Sequence, residues 1–330
     1  VAAGCGSDDS KSGDSAAASS GGAGGQTVEQ LTLNYYAGVD VSLVPWVATE
    51  LGLWKDYGLD VKLVASTNGP AAISALLSGD LDLISNQVPG LLQLREQGQD
   101  VQGITGVYST YPFSLIGSKK LPTNHAGKYP EVLKDLKGKT FGVDAIGGVT
   151  YNVMRILLKD AGMNPDSDVK FVAIGQTAQL SAAMEAGQID AFFALPTDVL
   201  RLVDVNKSAN LLLDVGKDGP DAFQPWVLAA IQGVTSNLDK RPEAFTRFQK
   251  AWAGVNAYMA DEANSDKVLP VVSKFLNLDE KNAQLLLDRI LPQLTGELDP
   301  KAVEKVTAFM LKNGVIKKDI PVEDVVWETQ

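Results

Sequence analysis

The run Gly147-Gly148-Val149-Thr150 sets two adjacent glycines directly ahead of an apolar-periodic segment. That spacing lets a small molecule approach the main chain closely, with free N–H groups at a helix start and the Thr150 hydroxyl as donors. Tyr151 follows at once. Comparable sets of amides, hydroxyls and aromatics recur wherever an apolar run gives way to polar residues. They are Tyr36, Gly38, Val39, Ser42 and Trp46; Asn68 and Gly69; Asn86 and Gln87; Tyr108 and Ser109; Gln176 and Thr177; Pro196; and Trp226. These groups hold a solute by hydrogen bonds and ring contact rather than react with it. Trp46, Trp226 and Tyr35 serve a ligand or the core equally well, because aromatic side chains dominate cores.

The chemistry of turnover is missing. The chain has one histidine, His125, and one cysteine, Cys5, which gives no structural zinc spacing and no internal disulfide. There is no Ser/His/Asp order, no paired-carboxylate motif and no phosphate loop, and the glycines at 147 and 148 lack the third of a dinucleotide fingerprint. No catalytic residue, metal or cofactor is expected. Arg155 and Arg201 lie inside predicted helices rather than at their starts, so a strongly anionic ligand clamped by arginine is not supported. Asp40, Asp144 and Asp198 stand near predicted strand ends, where an acid either caps a helix or receives an amine. The pattern fits a small molecule with an aromatic or apolar body and one weakly anionic or zwitterionic end. Organosulfonates, aromatic carboxylates and pyrimidine-like molecules all remain open.

These residues need a scaffold, and the hydrophobic pattern supplies one. From "LTLNYYA" onward, strands alternate with helices, the arrangement of helix-covered parallel sheets. Strands are expected at 31–37, 59–66, 81–85 and 101–109. Helices are expected over 42–54, after the cap residue Asn68, and after Pro89. A second series starts at "GKTFGVDAIGG", with strands near 140–144, at "VKFVAIG" and at "IDAFFAL", and helices over 148–161 and from Ala178. The stretches "ALLSGDLD" (75–82) and "AMEAGQID" (183–190) occupy the same place in the two series, which indicates two similar lobes. After "WVLAAIQG" the chain is helical, with Asn237 or Asp239 capping a long amphipathic helix. Chain crossings between lobes are expected at 114–120 and 214–224, and paired crossings form a hinge. In such sheets ligands sit beyond the carboxyl ends of the strands, which is the rule that selects the residues above.

Composition sets the outer limits. At roughly 150 residues per domain, 330 residues make about two domains, and 45% hydrophobic residues suffice for ordinary cores. A net charge of -11 argues against a nucleic-acid partner, whose phosphates demand lysine and arginine. No apolar run approaches the roughly 20 residues of a membrane span. The first segment is different: "GSDDSKSGDSAAASSGGAGG" has no large apolar side chain and reads as a flexible spacer. Ahead of it, "VAAG" followed by Cys5 resembles the end of a bacterial lipoprotein signal peptide. That resemblance implies lipidation of Cys5 and a tether to the extracytoplasmic face of the cell membrane, where two or more acyl chains anchor stably.

The stretch "PWVATELGLWKDYGLDVKLVASTNGPAAISALLSGDLDLISNQVPGLLQLREQGQDVQGI" resembles the substrate-binding proteins of ABC transporters for sulfonates, nitrate and taurine, with the thiamine-precursor-binding branch on the same fold. "LKGKTFGVDAIGGVTYNVMRILLKDAGMNP", "AAMEAGQIDAFFALP" and "DPKAVEKVTAFMLKNGVI" resemble later parts of that family. The resemblance implies an α/β, type II periplasmic-binding-protein fold, with two lobes joined by a two-strand hinge. Its divisions would be a tether at 1–29, lobe one at 30–115, lobe two at 116–222, and a return to lobe one with C-terminal helices at 223–330. It also implies a protein that captures a small-molecule ligand and passes it to an ABC-transporter permease, and a monomer is expected because a tethered binder can work as one and the sequence has no heptad seam. The rival expectation is an enzyme of the pyrimidine-precursor synthase type, which needs a cysteine-rich motif and an active-site histidine. Here Cys5 lies in the tether and His125 in the loop-like "LPTNHAGKYP".

Overall fold

A computed structural model describes residues 28–175, 177–223 and 225–328. Cys5, Gln176 and Gln224 lie outside the described residues, as does nearly all of the expected tether.

Among the described residues ten strands are arranged in two sheets of similar order. In the first, β1 (Glu29–Tyr35) pairs in parallel with β2 (Leu59–Ala65). Strand β3 (Ile84–Gln87) and β4 (Val101–Gly106) flank the antiparallel β10 (Ala229–Val234). A parallel bridge from Leu33 to Leu83 joins the two groups, so the spatial order runs β2-β1-β3-β10-β4. In the second sheet the order is β7-β6-β8-β5-β9, from β5 (Ser114–Ser118), β6 (Thr140–Val143), β7 (Lys170–Ala173), β8 (Ala191–Ala194) and β9 (Ala209–Asp214). Strand β5 is antiparallel to both of its neighbours. Each sheet therefore carries, one place in from its edge, a single reversed strand, and that strand is the first one formed after the chain arrives from the other sheet.

The helices follow the strands in turn. They are α1 (Leu43–Glu50), α2 (Gly69–Ser78), α3 (Val88–Glu96), α4 (Val149–Asp160), α5 (Thr177–Glu185), α6 (Pro196–Val199), α7 (Val215–Asp218), α8 (Thr235–Leu238), α9 (Pro242–Ala260), α10 (Ser265–Leu276), α11 (Glu280–Ile290) and α12 (Pro300–Lys312). The C-terminal helices pack back on the first sheet's layer, α9 and α10 against α1, and α12 against α3. Among the described residues no helix is long and apolar enough to cross a membrane.

The two half-folds repeat each other down to single hydrogen bonds. The Asp82 carboxylate accepts the Thr32 backbone N–H at 2.8 Å, and Asp190 accepts that of Thr140 at 2.8 Å, each pair 50 residues apart. Those acids are the last residues of the two repeated stretches, and each ties the entry of its half's third strand back to the first. Alternation along the second sheet divides its apolar residues between two faces. Leu115, Phe141 and Phe193 join the large core that runs through both halves, while Ile116, Phe192 and Ala194 form a separate cluster with Leu180 and Leu202.

Three local expectations change. The helix expected over 42–54 ends at Glu50, because Gly52 takes a left-handed φ of 70° and a 3-10 turn (Leu53–Tyr57) follows. The long helix begins at Pro242, suited to a first turn by its missing N–H. Asn237 belongs to α8 and Asp239 follows that helix and accepts the Trp327 indole N–H. Residues 114–118, expected within a crossing, are β5, hydrogen-bonded on both sides. The chain passes between sheets at 107–113 and 215–228.

Candidate functional site

A cavity of about 640 Å³ lies between the two sheets. Its walls follow from topology. Tyr36 comes just after β1, Thr67 after β2, Asn86 and Gln87 end β3, Asp144 comes after β6, Gly175 after β7 and Leu195 after β8. Phe113 and Leu228 precede the reversed strands β5 and β10, so every strand that reaches the cavity does so at the same edge of its sheet. A smaller recess of about 220 Å³ adjoins it, sharing Tyr36, Val39, Thr67 and Leu195, and adds Gly38, Asp40, Asp198 and Arg201.

The sequence-predicted residues divide sharply. Tyr36, Val39, Asn68, Gly69, Asn86, Gln87, Gly148, Val149 and Thr150 all line the main cavity, and Gly38 lines the recess. Ser42 stands behind this wall: it is buried, and its hydroxyl accepts the Tyr36 N–H at 2.9 Å, fixing the turn after β1. Gly147 makes the turn before α4 with a φ of 82°, and its carbonyl accepts from Asn152 at 2.9 Å. Tyr151 packs edge-on against Phe171, receives an N–H from Arg155 and is not among the residues lining the cavity. Pro196 is buried at the start of α6.

The aromatic expectations shift furthest. Trp46 stacks on Phe275 of α10 at 4.6 Å and lines neither the main cavity nor the recess. Tyr108 is fully buried in a bridge to Leu294, and Ser109 donates to the Gln293 carbonyl. Trp226 is 1% exposed, ringed by Tyr111, Phe223 and Phe309 at centroid distances of 5.9, 4.6 and 5.3 Å. It holds the two crossing segments and α12 together.

Within the cavity the polar groups are held firmly. The Asn68 carboxamide accepts the Ala71 N–H at 2.9 Å and so caps α2. Asn86 donates to the buried Gln232 at 3.4 Å, and Gln232 donates back to the Asn86 carbonyl at 2.9 Å. Burial pushes the Tyr36 phenol above its usual range, which keeps it a neutral donor, directed at the Ser85 carbonyl at 3.5 Å. Asp144 accepts the Thr150 hydroxyl. Gly148 keeps that carboxylate uncovered, since a Cβ there would lie 3.1 Å from both of its oxygens.

Asp40 links the halves. Its Oδ2 accepts the Thr197 backbone N–H at 3.1 Å and the Thr197 hydroxyl at 3.0 Å, while its buried Oδ1 has no geometrically close hydrogen-bond partner among the described residues. Burial pushes its pKa up to about 6, the Thr197 bonds and the Val41 backbone N–H oppose that, and the neighbouring Asp198 adds to it.

Residues that reach the cavity without having been predicted include Gln93, Gln179, Ile73, Phe113 and Phe193. His125 is paired with Asp135 at 2.9 Å and does not line it. Among the described residues no group of three or more His, Cys, Asp or Glu is placed to hold a metal ion.

Two half-folds of this order, each with one reversed strand and a cavity between them, define the periplasmic-binding-protein fold. The profile of the family described as NMT1/THI5 like matches residues 43–264, and the chain belongs to that family. The "Putative binding protein" of Brucella abortus strain 2308 is 28% identical over 300 residues, covering 84% of this chain and 85% of that one. The alkanesulfonate-binding protein SsuA of Xanthomonas axonopodis pv. citri, solved bound to MOPS, superposes with a TM-score of 0.73 at 18% identity, covering 91% of this chain and 98% of SsuA. The desulfurization enzyme DSZB superposes with a TM-score of 0.63 at 16% identity, covering 90% and 96%.

Proposed function

We propose that this protein is an extracytoplasmic solute-binding protein that encloses a small organic molecule between its two half-folds and delivers it to the permease of an ABC importer. The observation that carries this reading is the cavity, built from both sheets at the strand edges where such folds bind ligands. Its mixture of Phe113, Phe193 and Leu195 with carboxamides suits an organic body more than a bare inorganic ion. The sulfonate- and MOPS-related description of SsuA and the binding-protein description of the Brucella relative support the same class. An enzyme on this fold, as DSZB is, finds less support: the cavity wall has no histidine, lysine or cysteine among the described residues.

A ligand that binds only the folded state raises the melting temperature, by an amount equivalent to about 2.7 kcal/mol at a hundredfold excess over Kd. Thermal shift against sulfonates, taurine, nitrate, aromatic carboxylates, amines and pyrimidines should give a rise confined to one chemical class. Consumption of any bound compound, followed by mass spectrometry, would replace the binding reading with the enzymatic one.

The same reading places the protein as a monomer on the outer face of the cell membrane, anchored through an acylated Cys5. The sequence "VAAGC" followed by a Ser/Gly-rich spacer supports it. In cells that express the precursor, labelled palmitate should enter the protein and Cys5→Ser should abolish the label; equal labelling of both forms would remove the anchor.

A further inference from the structure

The formal charges around the cavity have one dominant sign. Among the described residues the main cavity holds one charged side chain, Asp144, and no Arg, Lys or His. The adjoining recess adds Asp40, Asp198 and Arg201, and the Arg201 guanidinium is already directed at the Leu276 carbonyl at 3.4 Å. An anionic head group in the main cavity meets the Asp144 carboxylate and no cationic side chain among the described residues, Arg201 standing apart in the recess.

Helix starts would ordinarily offset this, since the amino end of a helix carries about half a positive charge. Both starts with the clearest view of the cavity already have a protein group before them. The Asn68 oxygen takes the Ala71 N–H at the start of α2. At α4 the Asp144 carboxylate stands beside Gly148, the residue ahead of the first turn, in the space where an anion would sit. Only the Thr150 hydroxyl bonds to Asp144 among the described residues, and it reaches Oδ1, so Oδ2 remains open as an acceptor.

Asp144 Oδ2 is thus the charged acceptor that the main cavity offers among the described residues, and an N–H of the bound solute is the group that complements it.

We propose that the cavity selects a solute whose polar end is a protonated nitrogen, an amine or amidinium, seated on the Asp144 carboxylate. This rests on the solute-binding reading above and narrows it: sulfonates and carboxylates are disfavoured ligands, and Asp144 is the specificity-determining residue. Phe113 and Phe193 give the remainder of the molecule an apolar wall.

A matched set of probes on one ring tests it: benzylamine and benzamidine, benzyl alcohol, benzoate and benzenesulfonate, each titrated calorimetrically into the full described chain. The cationic pair should bind at least tenfold more tightly than the anions. Asp144→Asn keeps an oxygen for Thr150 and the shape of the side chain, and should lose tenfold or more for the cations and under threefold for benzyl alcohol. A circular-dichroism melt of the variant confirms that it is folded.

Three results overturn the proposal: no cationic probe binding at 10 mM, anions binding in preference, or Asp144→Asn leaving cation affinity unchanged. Anion preference would leave the solute-binding function standing with a different cargo, whereas loss of that function would show instead as no response to any class in the wider panel.

Discussion

Trp226→Ala should lower the unfolding free energy by about 3–5 kcal/mol, the range for removing a buried aromatic side chain, while changing ligand affinity little below the melting temperature. The ring is buried among Phe223, Tyr111 and Phe309, and that cluster includes parts of both crossing segments together with α12. Truncation leaves a cavity where the chain passes between sheets, and the backbone there has little room to collapse: a Cβ on Gly216 would already meet the Tyr111 carbonyl at 2.4 Å. With about 2–4 °C per kcal/mol for chains somewhat smaller than this one, the melting temperature should fall by roughly 8–15 °C. Trp226→Phe should recover part of that loss. The cavity wall begins two residues later at Leu228, so binding measured at low temperature should survive. An unchanged melting temperature combined with lost binding would put the indole against the ligand after all.

That outcome matters because the sequence describes Trp226 equally well as a lid or as core. Its burial depends on Phe309, more than eighty residues further on, arriving with α12. No local pattern carries such information. The features that were legible are those with local causes. Asn68 two residues before Pro70 marks a helix start, the acids at the ends of "SGDLD" and "AGQID" mark equivalent strand entries, and a glycine pair before Thr150 marks a turn that exposes a helix start.

Selecting strand ends found Tyr36, Asn86, Gln87 and Thr150 but passed over Gln93 and Gln179. These sit on α3 and α5, beyond the strand ends themselves. Helical side chains lean toward the amino end of their helix, which here is the cavity end, so a long amide beyond the first helical residues still reaches the wall. Extending the search into the opening turns of each helix would have included both. Phe113 and Phe193 had no comparable signal, since an aromatic residue beside a strand is ordinary core until the opposing sheet is in place. Glycine interrupted the reading in the other direction at Gly52, where apolar periodicity continues through Trp54 but the left-handed backbone ends the helix.

Asp40 should make the stability of the native chain fall between about pH 4 and pH 6, and Asp40→Asn should remove that fall. The folded carboxyl, with its pKa raised from 3.8 to about 6 by burial, holds a proton that the unfolded chain releases at lower pH. Between those values the folded state binds more protons, so stability declines as pH rises and levels off above the folded pKa. At ~1.4 kcal/mol per unit of displacement, keeping Asp40 ionised in the fold costs about 3 kcal/mol at pH 7 relative to pH 4. The Thr197 N–H and hydroxyl, with the Val41 N–H, offset only part of the desolvation. Asparagine can still accept from Thr197 on its oxygen, and its amide group brings an unpaired donor into the position of Oδ1. That penalty is the same at every pH and subtracts out when the two proteins are compared across pH. The difference in stability between variant and native chain should therefore move by about 3 kcal/mol in the variant's favour from pH 4 to pH 8, seen as a relative gain of roughly 5–10 °C in melting temperature. Parallel curves for the two proteins over that range would mean that Asp40 is hydrated in solution, and that the contact with Thr197 does not hold the two half-folds together when the cavity is empty.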